Sequence, residues 1–286
     1  MQFERLAGDL GRTEGPVFAG SGDVLVTSMD RGHLYSVDAD GVTARVMNTG
    51  GEPNGLTEGP DGRLYVAQNG GRGPWNIRPI CPGGVQVVDP VAGSLRWLTM
   101  DPVSPNDLCF GPDGALYVTD PTRTPARNDG RLWRVDPLTG VAVLLRSVPW
   151  YPNGIGFGPE PDFVYVASTG ESVIRRIEFS PDGLGAEHDF ITMPYGHPDG
   201  FAFDTDGNMI IATVGTESDL SAPGELQVWS PEGTLSERIQ LGSGHYYTNV
   251  ALSGDGRLIV TDTDDCAVLV ADGWPGKGLP LHPHRV

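Results

Sequence analysis

One short pattern occurs six times along this chain of 286 residues, and it constrains the fold more than any other feature. Each copy contains an apolar stretch, a tight turn such as Asp61-Gly62 or Asp113-Gly114, and a second apolar stretch such as LYVA or LIVT. The copies begin at Thr13, Pro53, Pro105, Pro152, Pro198 and Tyr247. Self-similarity at a period of about 20 to 50 residues is typical of repeat architectures. We therefore predict an array of equivalent structural units.

Every copy carries an oxygen-bearing side chain seven residues before its turn, or eight residues before it in the fourth copy. We call these side chains the six anchors: Glu14, Asn54, Asn106, Asn153, Asp199 and Thr248. They recur at intervals of 40 to 52 residues, close to the roughly 40 to 50 residues of one four-stranded propeller blade. Asn153-Gly154 has the composition of a hairpin turn, but the turn of that repeat comes later. We therefore predict that Asn153 precedes the first strand of its blade.

The segments between the repeats supply further strands. GHLYSVD and TARVMNT follow the first repeat, and similar pairs follow most of the others. This order predicts an all-β, six-bladed β-propeller with four antiparallel strands per blade, formed by residues 1–286 as one domain. The sixth repeat ends with AVLVADG and lacks a clear fourth strand. We expect the N-terminal FERLA segment to pair there and close the ring, because an open sheet edge is a liability.

Alternating strand direction is expected to place all six anchors on one face, around the mouth of the central channel. Carboxylate, amide and hydroxyl oxygens suit Ca²⁺ far better than they suit zinc or copper. A single Asn or Asp at such a position more often caps a strand end through a local hydrogen bond. Six independent turns have no reason to share oxygen side chains at one equivalent position, so the set favours a cation site.

Four motifs together resemble the senescence-marker-protein, gluconolactonase and luciferin-regenerating-enzyme (regucalcin-like) family of six-bladed propellers: TEGPVF, SPNDLCFGPDGALYVTDP, YPNGIGFGP and HPDGFAFD. The resemblance covers essentially the whole chain. It implies a Ca²⁺ held by Glu14, Asn153 and Asp199, with Asn106 as a fourth ligand or a substrate contact. It also implies that Asp199 is the catalytic carboxylate. Mg²⁺, Mn²⁺ or Zn²⁺ are expected to substitute for Ca²⁺, and Asn54 and Thr248 are expected to support the ligands.

The hypothesis for the chemistry is metal-assisted hydrolysis of a lactone or related ester, with Asp199 either activating water or attacking the carbonyl carbon. His197 and His245 are candidate proton carriers. We predict that the loop from Asn69 to Gly84 forms a lid whose Trp75 contacts substrate. The predicted substrate-binding set is Asn54, Trp75, Asn106, Asp120, Arg123, Trp150, Tyr151, His197 and Tyr247.

Two features leave the activity open. Mammalian lactonases of the family grip a sugar lactone with an arginine and a glutamate, whereas this chain has Ser104 and the loop DPTRTPARNDG at those places. A small-molecule-binding propeller with a structural calcium, or a non-hydrolytic enzyme of the strictosidine-synthase type, therefore stays an alternative. No Gly-x-Ser-x-Gly elbow, HExxH motif or phosphate-binding loop occurs, so the sequence does not support a serine triad, a zinc protease or a P-loop.

Composition limits the partners. The 37 acidic and 19 basic residues give a formal net charge of −18, which disfavours nucleic acid and anionic membrane surfaces as partners. The N-terminus lacks the pattern of a secretory signal, so we expect a cytoplasmic protein, either a monomer or a weak homo-oligomer. Cys81, Cys109 and Cys266 are too scattered for a disulfide framework or a paired-cysteine zinc site. We expect reduced thiols, with Cys109 and Cys266 packed in strands.

Overall fold

The protein is described by a computed structural model that covers residues 1–71, 80–122, 129–180, 182–215, 223–242, 244 and 246–282. Within these ranges, twenty-four strands form six four-stranded sheets. Neighbouring strands in every sheet pair antiparallel, as in the hairpins β2–β3, β6–β7 and β10–β11. The predicted six-bladed β-propeller is confirmed.

The strands of the first three blades follow one another in chain order. Blade 1 contains β2 (Thr13–Phe18), β3 (Val24–Ser28), β4 (His33–Val37) and β5 (Thr43–Asn48). Blade 2 contains β6 (Pro53–Glu58), β7 (Leu64–Gln68), β8 (Gly84–Asp89) and β9 (Ser94–Thr99). Blade 3 contains β10 (Leu108–Phe110), β11 (Leu116–Asp120), β12 (Gly130–Val135) and β13 (Ala142–Val148).

The last three blades continue this order until the chain reaches its N-terminal strand again. Blade 4 contains β14 (Pro152–Phe157), β15 (Phe163–Ser168), β16 (Val173–Ser180) and β17 (Gly183–Thr192). Blade 5 contains β18 (His197–Phe203), β19 (Met209–Val214), β20 (Leu226–Trp229) and β21 (Leu235–Ile239). Blade 6 contains β22 (Tyr247–Leu252), β23 (Leu258–Asp262), β24 (Ala267–Ala271) and β1 (Glu4–Ala7).

The first strand of each blade is the innermost one. Each first strand contacts the first strands of both neighbouring blades, in the sequence β2, β6, β10, β14, β18, β22 and back to β2. These six strands therefore surround the central channel. In blade 6, β1 pairs with β24 with Glu4 opposite Val270 and Arg5 opposite Leu269, so the N-terminal segment supplies the outer strand there.

The hydrophobic core lies between the blades. Most second strands are apolar runs and are buried along their whole length, as in β7 (LYVAQ) and β23 (LIVTD), because a neighbouring blade covers each face. One core cluster combines Ile210 of blade 5 with Leu258 of blade 6, and another combines Leu132 of blade 3 with Val166 of blade 4. The fourth strands are largely exposed, as expected at the rim.

The Asp-Gly turns lie where the sequence predicts them. The glycines of four of these turns have φ between 74° and 87°, a backbone conformation that favours glycine: Gly62, Gly114, Gly207 and Gly256. The anchors differ from their predicted placement, because five of them lie inside the first strand, and only Asn106 precedes its strand. Cys109 lies in β10 as expected, whereas Cys266 lies in the turn after β23 with φ 52° and is not a strand residue.

Helix is nearly absent from the ranges given above, where the one helical element is the 3₁₀ turn η1 (Thr169–Glu171). No helix within those ranges is long and apolar enough to span a membrane.

The segment after β24 crosses the far end of the channel, and we call residues 274–282 the C-terminal strap. Gly278 N donates to Ser253 O of blade 6, at 2.8 Å, and Leu279 N donates to Phe203 O of blade 5, at 2.9 Å. His282 Nε2 lies 2.9 Å from the carbonyl oxygen of Glu58 in blade 2. The strap therefore runs between blades that are distant in sequence, at the end of the channel opposite the anchors.

Candidate metal and active site

The six anchors occupy equivalent places at one end of the first strands. All six side chains are buried, with exposed fractions between 3% and 8%. Main-chain contacts join them to the neighbouring blades. Gly55 N donates to Asn106 O at 2.7 Å, and Thr119 Oγ1 donates to Asn153 O at 2.7 Å. The structure thus forms the predicted ring of anchors at one channel mouth.

A β-bulge accompanies most of the anchors. In blade 4, Pro152 pairs with Ser168 and Ile155 pairs with Val166, so Asn153 and Gly154 together oppose one residue. Blades 2 and 5 repeat this arrangement, with Asn54-Gly55 and Asp199-Gly200 in the bulge. A bulge turns side chains away from the regular strand alternation and is common beside functional sites. The predicted start of the strand is wrong for this reason: pairing begins before the anchor and is interrupted at it.

The glycine that follows several anchors allows the first strands to approach one another. A Cβ atom on Gly154 would lie 2.5 Å from Asp199 O, and one on Gly200 would lie 2.1 Å from the Asn249 side chain. Neither distance is compatible with a side chain. The Asn-Gly and Asp-Gly pairs at the anchors are therefore required by close packing at the axis, and not by a hairpin turn.

Two carboxyl groups at the anchor end interact electrostatically: that of the anchor Glu14 and that of Asp107. Glu14 Oε2 accepts from Gly15 N at 2.8 Å and from Asn249 Nδ2 at 3.2 Å. Asp107 occupies the place after its anchor where blades 1, 2, 4 and 5 have glycine, and it accepts from Leu108 N at 2.8 Å. Burial, and then the charge of Glu14, raise the pKa of Asp107 to about 7. Ionisation of Asp107 near Glu14 is therefore costly unless a cation compensates the charge.

Asp107 was missed at the level of sequence. The signal for it is a charged residue in SPNDL where the aligned repeats read PNG or PDG. Oδ2 of Asp107 accepts from Ile155 N of blade 4 at 3.4 Å, and a Cβ atom on Gly55 of blade 2 would lie 2.3 Å from Oδ1 of Asp107. Asp107 therefore lies within the channel between three blades.

Asn153 and His197 are held by one residue of blade 4. Asn153 Nδ2 donates to Thr169 Oγ1 at 3.0 Å, and His197 Nδ1 lies 2.9 Å from Thr169 O and 2.9 Å from Ser172 Oγ. A carbonyl oxygen only accepts, so Nδ1 carries the proton in the contact with Thr169 O. A neutral His197 imidazole then has its unprotonated nitrogen at Nε2, the atom that can accept a proton.

Two buried oxygen atoms near the ring lack a hydrogen-bond partner within the ranges that the structure covers. They are Oδ1 of Asn54 and Oγ of Ser104. Asn54 has an exposed fraction of 3% and Ser104 has one of 0%. A buried polar atom without a partner costs free energy, so each is a place where a ligand atom or a water molecule would stabilise the protein.

Several residues of the predicted substrate-binding set have other roles in this conformation. Asp120 is fully buried and accepts from the backbone N–H groups of Val103, Ser104 and Thr122, at 2.9 to 3.2 Å. Trp150 packs in the core between blades 3 and 4 and donates to Glu187 Oε1. Both side chains thus take part in the framework of the blades, and their predicted contact with substrate stays a prediction.

The remaining members of the set divide into two groups. Tyr247 is buried in the core cluster of blades 5 and 6, and its hydroxyl accepts from Gly244 N at 3.2 Å. Tyr151 and His197 are half-buried beside the anchors Asn153 and Asp199, and Asn54 and Asn106 belong to the ring. Trp75, Arg123 and His245 lie outside the described residues, as do residues 72–79 of the expected lid.

A cavity of about 420 Å³ lies in the channel between the ring and the C-terminal strap. First strands of all six blades line it, with Asp107 and Asn249 among the lining residues, and residues 278–281 of the strap contribute to its lining. Small side chains such as Ala202 and Ala251 leave this space open. The channel is thus wide beneath the anchors and covered by the strap at its other end.

The donor set at the ring is mixed. In the ranges that the structure covers, no three side chains of the types His, Cys, Asp and Glu are grouped as a metal site. The four predicted ligands are two carboxylates and two amides, and amide oxygens are ordinary ligands of Ca²⁺. Buried carboxylates are costly unless a cation or hydrogen bonds compensate them. The chemistry of Glu14, Asn106, Asn153 and Asp199 therefore fits a hard divalent cation.

Known proteins share this sequence and fold. The family model described as SMP-30/gluconolactonase/LRE-like region matches residues 12–263. A gluconolactonase of Zymomonas mobilis is 26% identical over 292 residues, which cover 90% of this chain and 77% of that protein. The adipocyte plasma membrane-associated protein of Rattus norvegicus is 28% identical over 214 residues, covering 69% of this chain and 56% of that longer protein.

Solved structures show the same fold. The calcium-binding protein regucalcin from Agrobacterium tumefaciens superposes with a TM-score of 0.78 at 20% identity, over 97% of this chain and 96% of that one. The resemblance inferred from the motifs is confirmed by the match over residues 12–263, which is most of the chain. This protein belongs to the SMP-30/gluconolactonase/LRE-like family.

Proposed function

We propose that this protein is a Ca²⁺-dependent hydrolase of a lactone or a related ester. Glu14, Asn106, Asn153 and Asp199 would hold the cation, and Asp199 would be the catalytic carboxylate. The observation that carries the proposal is the ring itself: six buried anchors with oxygen-bearing side chains, at equivalent places around one mouth of a channel. Packing alone would favour apolar side chains at such positions.

The comparisons support this class of reaction. The Zymomonas relative is a gluconolactonase, and the Agrobacterium structure is a calcium-binding protein. The carboxyl groups of Glu14 and Asp107, whose mutual repulsion a cation would relieve, and the partnerless Oδ1 of Asn54 support a cation and a polar ligand at the same mouth. We propose a gluconolactonase-like reaction, and Ser104, which stands where mammalian lactonases of the family carry an arginine, leaves the identity of the lactone or ester to be found with the substrate panel below.

A bound Ca²⁺ supplies a Lewis acid that polarises the substrate carbonyl and stabilises the negative charge that develops on its oxygen. Asp199 then has two possible roles: it orients and deprotonates a water molecule, or it attacks the carbonyl carbon directly. In either case water adds, the ring C–O bond breaks, and the leaving alkoxide takes up a proton. Nε2 of His197 is the nearby nitrogen that can carry that proton, because Nδ1 is held by Thr169 O.

Hydrolysis of a panel of γ- and δ-lactones and aryl esters tests the proposal. The protein is assayed as prepared, after treatment with excess chelator, and after addition of Ca²⁺ to the treated protein. We expect turnover of at least one lactone or ester, its loss with chelator and its recovery with Ca²⁺. Absence of turnover on the whole panel, in protein shown to bind Ca²⁺, favours the binding-protein alternative.

A further inference from the structure

Thr169 joins the strands that carry Asn153 and Asp199 through a single hydroxyl group. It directly follows β15 and begins the 3₁₀ turn η1. Thr169 Oγ1 lies 3.0 Å from Asn153 Nδ2 of its own blade and 2.8 Å from Pro198 O of blade 5. Pro198 directly precedes Asp199. One side chain therefore contacts one anchor and the peptide group that precedes another.

The number of protons in this contact determines the orientation of the Asn153 amide. A threonine hydroxyl has one proton to donate, and a carbonyl oxygen only accepts, so the proton is used on Pro198 O. Toward Asn153 the hydroxyl must then accept, which requires the amide NH₂ group to face Thr169. The opposite orientation would place two acceptors 3.0 Å apart. Oδ1 of Asn153 is therefore directed away from Thr169.

Blade 6 contains a matching residue at the equivalent place. Thr263 directly follows β23, and its hydroxyl donates to Thr13 O at 2.7 Å. Thr13 directly precedes Glu14, as Pro198 precedes Asp199. The partner in its own blade is the hydroxyl of the anchor Thr248, at 3.1 Å, which has no amide to orient. Thr263 thus has the carbonyl contact of Thr169 without the amide contact.

We propose that Thr169 is a positioning residue for the cation site, because its hydroxyl keeps Asn153 Oδ1 toward the cation and holds the peptide group before Asp199. This inference rests on the proposed function, since it assigns Asn153 and Asp199 to one cation. The residue does not itself touch the cation or the substrate. Hydrogen bonds that orient metal ligands typically change metal affinity by about 10- to 100-fold when they are removed.

Ca²⁺ affinity measured by isothermal titration calorimetry tests the inference, with three variants compared with the parent protein. Thr169→Val keeps the shape and removes the hydroxyl, and we expect its Kd to rise about 10- to 100-fold. Thr169→Ser retains the hydroxyl and is expected to bind within about threefold of the parent. Thr263→Val is the matched control, because it removes the same kind of carbonyl contact before Glu14. We expect its Kd to rise several-fold less than that of Thr169→Val.

Circular dichroism and thermal melting establish that each variant is folded. Parental affinity in folded Thr169→Val, or equal weakening in Thr169→Val and Thr263→Val, overturns the role in orienting the amide while the proposed function stands. A parent protein that binds no Ca²⁺ overturns the proposed function and this inference with it.

A measurement without metal keeps the inference testable if Thr169→Val does not fold. Nuclear magnetic resonance of ¹⁵N-asparagine-labelled parent protein reports the surroundings of the Asn153 NH₂ group. We expect nuclear Overhauser contacts between these NH₂ protons and the side-chain protons of Thr169, because the NH₂ group of Asn153 lies against the Thr169 hydroxyl. Absence of those contacts in the folded protein contradicts the orientation.

Discussion

The two ends of the channel are built from the same six strands and have opposite characters. At the anchor end, each first strand carries or closely follows a buried oxygen-bearing side chain, and bulges interrupt the pairing of five of these strands. At the strap end, five of these six strands finish in apolar side chains, Phe110 and Phe203 among them. His282 of the strap packs edge-on against Phe110, with ring centroids 4.9 Å apart. The anchor end therefore concentrates buried polar groups, and the strap end is covered.

Asp199 and Asp204 show the difference most directly. Both are buried aspartates of blade 5, five residues apart. Both carboxylate oxygens of Asp204 accept hydrogen bonds within the fold. Oδ1 accepts from the backbone N–H groups of Asp206 and Asn208. Oδ2 accepts from Asn208 Nδ2 and from Trp274 Nε1 of the strap. Asp199 lies in a bulge within the anchor ring. Position along the strand, and not residue type, therefore distinguishes a structural carboxylate from a candidate catalytic one.

The largest effect is expected when the same substitution is made at both ends. Asp199→Asn keeps the volume of the side chain and removes its charge, so kcat should fall by roughly 10²- to 10⁴-fold, or more if Asp199 is the nucleophile. Asp204→Asn should instead lower the free energy of unfolding by about 1 to 3 kcal/mol, because it disturbs a buried hydrogen-bond network. Steady-state kinetics and urea unfolding on both variants measure these effects. Near-parental kcat in Asp199→Asn contradicts its catalytic role.

Metal removal is expected to act at the anchor end alone. A ligand that binds only the folded state adds roughly 4 kcal/mol at a thousandfold excess over its Kd, so excess chelator should lower the melting temperature. Differential scanning calorimetry measures this shift. The matched control is His282→Ala in the strap, which should be less stable than the parent yet show the same Ca²⁺-dependent shift. An unchanged melting curve in chelator, together with no metal in elemental analysis, contradicts a cation site at the anchor end.

The smallest effect is expected from the carboxyl group that lies between the two ends. The pKa of Asp107 is about 7 in the folded protein, against 3.8 for an ordinary aspartate. The folded protein then holds a proton that the unfolded chain has released, so the free energy of unfolding falls as pH rises from about 4 to about 7. One pKa unit corresponds to about 1.4 kcal/mol, and Asp107 is half-buried, so we expect a loss of roughly 1 to 3 kcal/mol.

Asp107→Asn should abolish most of this pH dependence of the free energy of unfolding when metal is removed with chelator. Urea unfolding at several pH values from 4 to 8 compares the variant with the parent. Ca²⁺ should also reduce the slope of the parent, since a nearby cation favours the ionised carboxyl group. Identical pH profiles of the parent and the variant contradict the raised pKa that burial and the charge of Glu14 give to Asp107.

The six repeats are sufficient to predict the fold from the sequence. Six copies with an Asp-Gly or similar turn and two apolar stretches determine the blade count, and the apolar runs LYVA and LIVT mark strands covered on both faces. The anchors were also predictable, because a ring site repeats with the period of the blades. These features are local and periodic, so they can be predicted from the sequence without knowing which residues are in contact in the folded protein.

Other features depend on which blades meet at the axis. The Asn-Gly pairs look like hairpin turns in sequence, and only the approach of neighbouring first strands, such as Gly154 against Asp199 O, shows why glycine is needed there. Trp150, Asp120 and Tyr247 looked like residues of the mouth because they adjoin mouth loops. Burial between blades, which depends on contacts distant in sequence, gives them structural roles.

By itself, the sequence determined the blade count, the strand order and the chemical character of the anchor ring, because these follow from periodicity and residue type. Only the folded chain shows that Glu14 interacts electrostatically with Asp107, that Thr169 Oγ1 contacts Asn153 Nδ2 and that the strap covers the other end of the channel. Glu14 and Asp107 are 93 residues apart in the chain, and Thr169 reaches across a blade boundary. Interactions of this kind are set by distances between atoms, which no local pattern of residues encodes.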